Sequence, residues 1–213
     1  MKKKFVLVVL FVLPLVVYMF FASGITRFGR LPVLAGPVDD LAALSDSVRL
    51  DDRITVLVFL GDQPQAHKGN LFNLNQKIYK RFREFEDFQL VVLAASGTEA
   101  AMADIRKELA GLAEVSGWKF VFADTAAIRD RFRALGTGLP QDPDGYSPYV
   151  FILDKDRMLR GRNRDEDQGL KYGFDATSVA DLNNKMEDDM KIILAEYRLA
   201  LKRNSAFRSE AVE

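Results

Sequence analysis

Continuous apolar stretches of strand length alternate with amphipathic helical patterns along most of this chain. The first stretch, Ile54–Leu60, is interrupted only by Thr55. Such runs are typical of strands that a sheet buries on both faces. A helical pattern follows over Leu71–Phe85, where apolar side chains recur every third or fourth residue. This alternation predicts an α/β fold with a largely buried sheet.

The later elements continue the alternation and end in a hairpin and a long helix. The order β-α-β-α-β-α-β-β-α predicts one central mixed sheet with helices on both faces. Ser178 and Asp181 have the spacing of a capping box at the start of the last helix. The further predicted strands are Leu90–Ala95, Phe120–Ala123, Tyr149–Leu153 and Met158–Gly161, and the further predicted helices are Met102–Val115, Ile128–Leu135 and 178–201.

The last helix is expected to close the core, because a chain without cysteine has no disulfide to help. Its polar side, with Glu187 and Asp188, is expected to face water. The charged segment Arg162–Lys171 is likewise expected to be a solvated loop. The apolar side of the helix, expected to be buried against the sheet, consists of Leu182, Met186, Met190 and Ile193.

The N-terminus resembles a membrane-targeting segment. Lys2–Lys4 precede an apolar run, Phe5–Ala22, which is near the length of a bilayer-spanning helix. An uncleaved anchor is favoured by that length, and the alternative is a signal peptide cleaved near Ser23. The expected organisation is an anchor over 1–24, a connector over 25–53, the folded domain over 54–204 and a tail over 205–213. The domain would lie in the periplasm, attached to the bacterial inner membrane.

Composition excludes several classes of function. Thirty basic residues balance thirty acidic residues, so the chain lacks the basic excess of nucleic-acid binders. With no cysteine and one histidine, the chain offers neither a thiol redox pair nor a confident Ser-His-Asp set. No glycine-rich phosphate loop follows any predicted strand. We therefore expect a protein that is not an enzyme and that carries no cofactor.

Two segments flank the predicted end of the first strand. The polar stretch Gly61–His67 leads from that strand towards the helix, in the position where thioredoxin-like folds carry their redox cysteines. Tyr146, Ser147 and Pro148 precede the fourth strand, where such folds carry a cis-proline. The element order therefore predicts a thioredoxin-like fold, with a cis peptide bond before Pro148.

The chain resembles the Sco/SenC family, which are membrane-anchored thioredoxin-fold proteins that handle copper during the assembly of respiratory oxidases. The resemblance rests on the anchor, on Pro64 after the first strand, and on the closing hairpin and helix. It covers Ile54 to about Asn204 and is strongest over Tyr149–Lys202. It implies an association with a membrane protein complex of the cytochrome oxidase type.

The metal-binding motif of that family is altered here. When it is laid on this sequence, its two cysteines fall on Gln63 and His67, and its distant histidine falls on Tyr146. Soft thiolates favour Cu(I), and an amide, an imidazole and a phenol do not replace them. High-affinity Cu(I) binding is therefore expected to be lost. The alternative is a weak Cu(II) site formed by His67 with Gln63, Asp62 or Tyr146 as further ligands.

What the resemblance leaves is an interaction surface formed by Gln63, Pro64, His67, Tyr146 and Pro148. We expect it to bind a protein partner, so that the chain acts as a non-redox accessory, assembly or scaffold factor for a respiratory oxidase. The N-terminal helix would contact membrane lipid. Two alternatives stay open, namely the weak copper-binding protein and a permanent accessory subunit of a membrane complex.

Overall fold

The computed structural model describes residues 10–19 and 30–210. A helix, α1, covers residues 10–19. Among the described residues, none of the helices has the length and apolarity that crossing a membrane requires. The rest of the predicted 1–24 anchor lies outside the described residues. A separate compact unit extends from Leu31 to Ala195.

The compact unit contains one mixed seven-stranded sheet, which confirms the predicted α/β class. Its strands are β1 Val33–Ala35, β2 Ile54–Gly61, β3 Phe88–Ala95, β4 Trp118–Ala123, β5 Tyr146–Leu153, β6 Leu159–Arg160 and β9 Phe174–Asp175. The strand order is β1-β6-β5-β2-β3-β4, with β9 paired to β5. The three strands β2, β3 and β4 are parallel, and β5 joins them antiparallel through β2. A separate hairpin is formed by β7 Arg162–Asp165 and β8 Gly169–Lys171.

The helices lie between the strands in the predicted order. Two of them contain a π-helical turn, and these two turns pack against each other. The helices are α2 Pro64–Leu74, continued by the π turn Asn75–Tyr79 and by α3 Lys80–Phe82; α4 Glu99–Ala110; α5 Thr125–Ala134; and α6 Val179–Asp181, continued by the π turn Leu182–Met186 and by α7 Glu187–Glu210.

The folded unit begins earlier than the predicted boundary at Ile54. β1 pairs with β6 at the edge of the sheet, and Leu41, Val48 and Leu50 are buried in the core. Part of the stretch expected as a connector therefore belongs to the domain. Its polar and proline-rich composition concealed this, because the buried side chains are isolated rather than periodic.

Aromatic rings fill the core between the sheet and α5. Phe132 meets Phe59 edge to face at 5.1 Å between ring centroids, and it meets Phe151 at 5.7 Å. Edge-to-face pairs stabilise a core by about 0.5–1.5 kcal/mol beyond the area that they bury. This cluster supports β2 and β5, the two strands that carry the candidate site.

The last helix closes the opposite layer as predicted. Its predicted apolar face is fully buried, and Asp188 is exposed. The prediction for Glu187 is wrong, because this side chain is 4% exposed and forms an ion pair with Arg81. Arg81, in the neighbouring helix α3, supplies the positive charge that stabilises this buried carboxylate in place of water. The apolar residues confirmed as buried are Leu182, Met186, Met190 and Ile193.

The charged segment Arg162–Lys171 is mostly exposed, as predicted, but it forms the β7–β8 hairpin rather than a loop. Four of its six charged side chains also form ion pairs with the C-terminal helices. Arg162 Nε lies 2.8 Å from Asp189, and Lys171 Nζ lies 3.0 Å from Asp181. Lys171 is only 2% exposed. Charges of opposite sign in sequentially distant segments permit this burial, which sequence periodicity does not reveal.

Candidate functional site

The site begins where β2 ends and α2 starts. α2 begins at Pro64 rather than at the predicted Leu71, since proline suits the first helical position and needs no N–H partner there. His67 and Asn70 therefore lie three residues apart on one helix face. Four of the seven residues predicted as a polar loop thus form the first turn of a helix.

Tyr146, the first residue of β5, packs directly against this helix face. Its ring stacks on the His67 ring, with 3.4 Å between the centroids and 5° between the planes. Asn70 Nδ2 donates a hydrogen bond of 2.8 Å to the Tyr146 hydroxyl oxygen. Tyr146 and Asn70 are both 8% exposed, whereas His67 is half-buried. The prediction that Tyr146 lies beside His67 is confirmed, and we call these three side chains the His67 cluster.

Two glycines allow the strands' ends to approach closely enough to form this cluster. Gly61 has a φ of +69°, and a Cβ atom there would lie 2.7 Å from the Tyr146 nitrogen. Gly145, with a φ of +88°, lies on the opposite side of the same contact. The Tyr146 N–H is held by the Asp144 carboxylate at 2.9 Å. The backbone of both strands thus positions the rings.

We expect Gly61→Ala to destabilise the protein more than a glycine substitution that introduces backbone strain alone. A left-handed alanine costs about 1–2 kcal/mol, and here a backbone clash with Tyr146 adds to that. Gly136→Ala is the matched control, because Gly136 has a φ of +65° and a Cβ atom added there would meet no other atom within 4 Å. Urea unfolding measures both variants. Equal losses of unfolding free energy would contradict the close contact at Gly61.

The other predicted site residues lie around the cluster without joining its hydrogen bonds. Gln63 precedes α2, is exposed, and makes no capping hydrogen bond through its side chain. Pro64 is buried at the start of the helix. Pro148 follows two residues after Tyr146, so the alternation of a strand places both on one face. Its carbonyl accepts a hydrogen bond from the Ala176 N–H.

The predicted cis peptide bond before Pro148 is wrong. Among the described residues the cis peptide bond is Gly36–Pro37, so Ser147–Pro148 is trans. The chain is already extended from Tyr146 onwards, and an extended residue before proline fits the trans form without strain. Ser147 is instead held by its hydroxyl, which donates to the Pro140 carbonyl at 3.0 Å.

Burial raises the pKa of the Tyr146 phenol above its ordinary value. The hydrogen bond from Asn70 lowers it, and the negative charges of Asp175, Asp142 and Asp144 raise it further. The phenol therefore stays protonated at neutral pH. A neutral phenol is a poor metal ligand and a good hydrogen-bond donor.

The stacking also constrains the weak copper site considered above. An imidazole nitrogen binds a metal in the plane of its ring, and the Tyr146 ring lies parallel to that plane at a centroid distance of 3.4 Å. Metal–oxygen bonds are about 2.0–2.6 Å long, so both rings cannot bind the same ion in this arrangement. Within the described part of the chain, no group of three or more His, Asp or Glu side chains is placed to hold a metal ion.

The sequence reasoning missed Asn70 and Gly145 as parts of the site. Asn70 lies three residues after His67, and this spacing places both on one helix face. The spacing would have indicated Asn70 only if the helix had been predicted to begin at Pro64. Gly145 lies in a turn-rich segment, where glycine is common, so nothing in the sequence marked it as part of the site. Its approach to Gly61 depends on the pairing of β2 with β5, which local sequence does not encode.

Comparisons with known proteins find only distant structural similarity. No protein-family model and no curated protein matches this chain. A proposed protein disulfide isomerase from Bacteroides thetaiotaomicron, solved in solution, aligns with a TM-score of 0.40 and 13% identity over 80% of this chain and 88% of that chain. BsSco, described as a member of the Sco family of cytochrome c oxidase assembly proteins, aligns with a TM-score of 0.41 and 12% identity over 68% of this chain and 82% of that chain.

The soluble domain of Sco1 from Bacillus subtilis gives a TM-score of 0.36 at 11% identity, over 68% of this chain and 82% of its own. The chain described here contains no cysteine. It is an α/β protein with a mixed central sheet that distantly resembles thioredoxin-like Sco and disulfide isomerase structures.

Proposed function

We propose that this chain is a membrane-attached binding protein that uses a thioredoxin-like domain without thiol chemistry. In this proposal the surface around the His67 cluster, with exposed Gln63 beside it, binds a protein partner. The single observation that carries it is the stacking of His67 on Tyr146 at 3.4 Å, supported by the Asn70 hydrogen bond. The cluster is ordered by packing and hydrogen bonding, and it contains no thiol.

The fixed arrangement of these side chains favours the binding of a partner. Side chains held by packing and hydrogen bonds bind a partner with little loss of conformational entropy. His67 keeps part of its surface exposed, and Gln63 offers amide donor and acceptor groups beside it. Aromatic side chains are enriched at the centres of protein interfaces.

The membrane attachment is supported by α1. Every residue of 10–19 is exposed, including Phe11 at 70% and Tyr18 at 71%. An apolar helix without a polar side is favoured in lipid rather than in water. The preceding lysines Lys2–Lys4 would keep the N-terminus on the cytoplasmic side, which places the domain in the periplasm.

A respiratory oxidase is the proposed partner. This part rests on the resemblance of the hairpin and last helix, from Tyr149 onwards, to the Sco/SenC family. A domain without thiolates would act there by contact, as an accessory or assembly factor.

Purification of the full chain in mild detergent, with mass spectrometry of the retained proteins, tests the proposal. We expect Gln63→Arg to reduce the retained partner at least tenfold, because a long cation replaces a neutral amide in the contact surface. Gln168→Arg is the matched control, since Gln168 is also exposed but lies in the β7–β8 turn. A partner retained equally by both variants would contradict the proposed surface. A retained partner that is not an oxidase subunit would contradict only the assignment of the partner.

A further inference from the structure

The outer edge of β4 is open along the compact unit. β4 pairs with β3 on one side, and no other strand among the described residues pairs with it. The carbonyls of Gly117 and Ala123 accept hydrogen bonds from Leu90 and Ser96, each at 3.0 Å, on the β3 side. Because backbone groups alternate in direction along a strand, Phe120 and Phe122 direct their N–H and C=O groups outwards. Such an edge is a template for another strand.

The side chains at this edge are more apolar than those of a protected edge. Trp118, Phe120 and Phe122 share one face of β4, and the Trp118 and Phe120 rings stack at 6.3 Å. Phe120 and Phe122 are only partly buried. The exposed charge within the strand is that of Lys119 alone. A groove of about 410 Å³ follows the edge, lined by β4, by α4 and by Ser47 and Val48.

The pattern of this edge fits its own copy in antiparallel orientation. With Phe120 on a two-fold axis, Trp118 would face Phe122 of the other copy, which is a favourable aromatic pair. Lys119 would face Val121, so the two lysines would not lie opposite each other. Phe120 would exchange both of its outward hydrogen bonds with its counterpart.

The helix beside the edge is complementary to itself in the same symmetry. Glu99, Ala103 and Arg106 of α4 line the groove, and all three are exposed. An antiparallel two-fold relation that passes near Ala103 brings Glu99 of each copy to Arg106 of the other. A surface whose charges pair with themselves under two-fold symmetry is the signature of an isologous dimer interface.

We propose that two copies of this chain associate through their β4 edges, forming one continuous sheet across the dimer. The occupant of the groove is thus the second copy, with its β4 paired to β4 and its α4 beside α4. This inference is independent of the His67 cluster, which lies on β5 and α2.

Charge reversal at Glu99 and Arg106 tests the proposed interface, and because both residues are exposed, these substitutions leave the core intact. The full chain in mild detergent should sediment at twice its 24.0 kDa mass after correction for bound detergent. Glu99→Arg and Arg106→Glu should each raise the dimer dissociation constant at least tenfold, and the double variant should restore it. A monomeric parent chain, or a double variant as weak as either single variant, would overturn the proposal.

A cysteine placed at the axis gives a second, direct test. The chain has no cysteine, so a single introduced thiol reports only its own position. Phe120→Cys should form a covalent dimer on mild oxidation, since Cα atoms of such a hydrogen-bonded pair lie about 5.5 Å apart, within disulfide range. Ala126→Cys is the control and should not form a covalent dimer, because Ala126 is an exposed residue of α5, outside the β4 edge. Equal crosslinking of the two variants, or binding of a different protein to the monomeric edge, would refute a second copy as the occupant.

Discussion

Ile193→Ala should lower the unfolding free energy by about 2–5 kcal/mol, which is a large share of a domain's total stability. Ile193 is fully buried in α7, the helix that closes the core. Truncation leaves a cavity that a close-packed interior fills only partly. The melting temperature should therefore fall by roughly 5–15 °C. Thermal unfolding followed by circular dichroism measures this change.

His67→Ala provides the contrast to that variant. It removes one stacked ring from a half-buried position, so the expected loss is at most about 1.5 kcal/mol. The hydrogen bond between Asn70 and Tyr146 remains. Losses of similar size in the two variants would contradict the expected difference between a fully buried core residue and a half-buried ring.

Arg162→Met should lower the unfolding free energy at pH 7 by about 3–5 kcal/mol, because it leaves the buried Asp189 carboxylate without its partner. Arg162 donates three hydrogen bonds of 2.8–3.1 Å to that carboxylate. Asp189 is only 2% exposed. Urea unfolding at pH 7 measures the loss, and Arg162→Met combined with Asp189→Leu should recover much of it, since neither charge then remains buried.

The loss of unfolding free energy caused by Arg162→Met should become smaller as the pH is lowered. Burial already raises the pKa of Asp189, Arg162 lowers it, and the nearby Asp188 and Asp165 raise it. Removing Arg162 therefore raises this pKa further. A carboxyl whose folded-state pKa exceeds its unfolded value destabilises the fold in its ionised form. This penalty is full above the folded-state pKa, shrinks as the pH falls below it, and is gone below the unfolded pKa. A loss that does not shrink at any acidic pH at which the parent protein stays folded would contradict this origin.

Much of the scaffold could be predicted because its signals are local. Apolar runs such as Ile54–Leu60 and Leu90–Ala95 predicted two central strands, and the capping residue Ser178 was confirmed at the last helix, where its hydroxyl accepts from the Asp181 N–H. The reciprocal half of the capping box is absent. The Asp181 carboxylate instead accepts a hydrogen bond from the Asp175 N–H and forms an ion pair with Lys171. Partners in the preceding strands, rather than the backbone of the helix start, thus bind this carboxylate.

The candidate site was predicted in part for the same reason. The order of elements placed Tyr146 beside His67, since the first and fourth predicted strands, which are β2 and β5, are neighbours in such a sheet. The start of α2 was placed too late, because the polar residues between Pro64 and Asn70 carry no apolar stripe. The role of Asn70 followed only from the corrected helix.

The sequence by itself determined the fold class, the buried face of the last helix and the absence of thiol chemistry. These follow from the period of apolar residues and from composition, which act within a few residues of one another. Only the tertiary structure decided the stacking of His67 on Tyr146, the burial of Glu187 and the open edge of β4. Each of these depends on which distant segments lie in contact, and close packing and charge pairing across the sheet select those contacts.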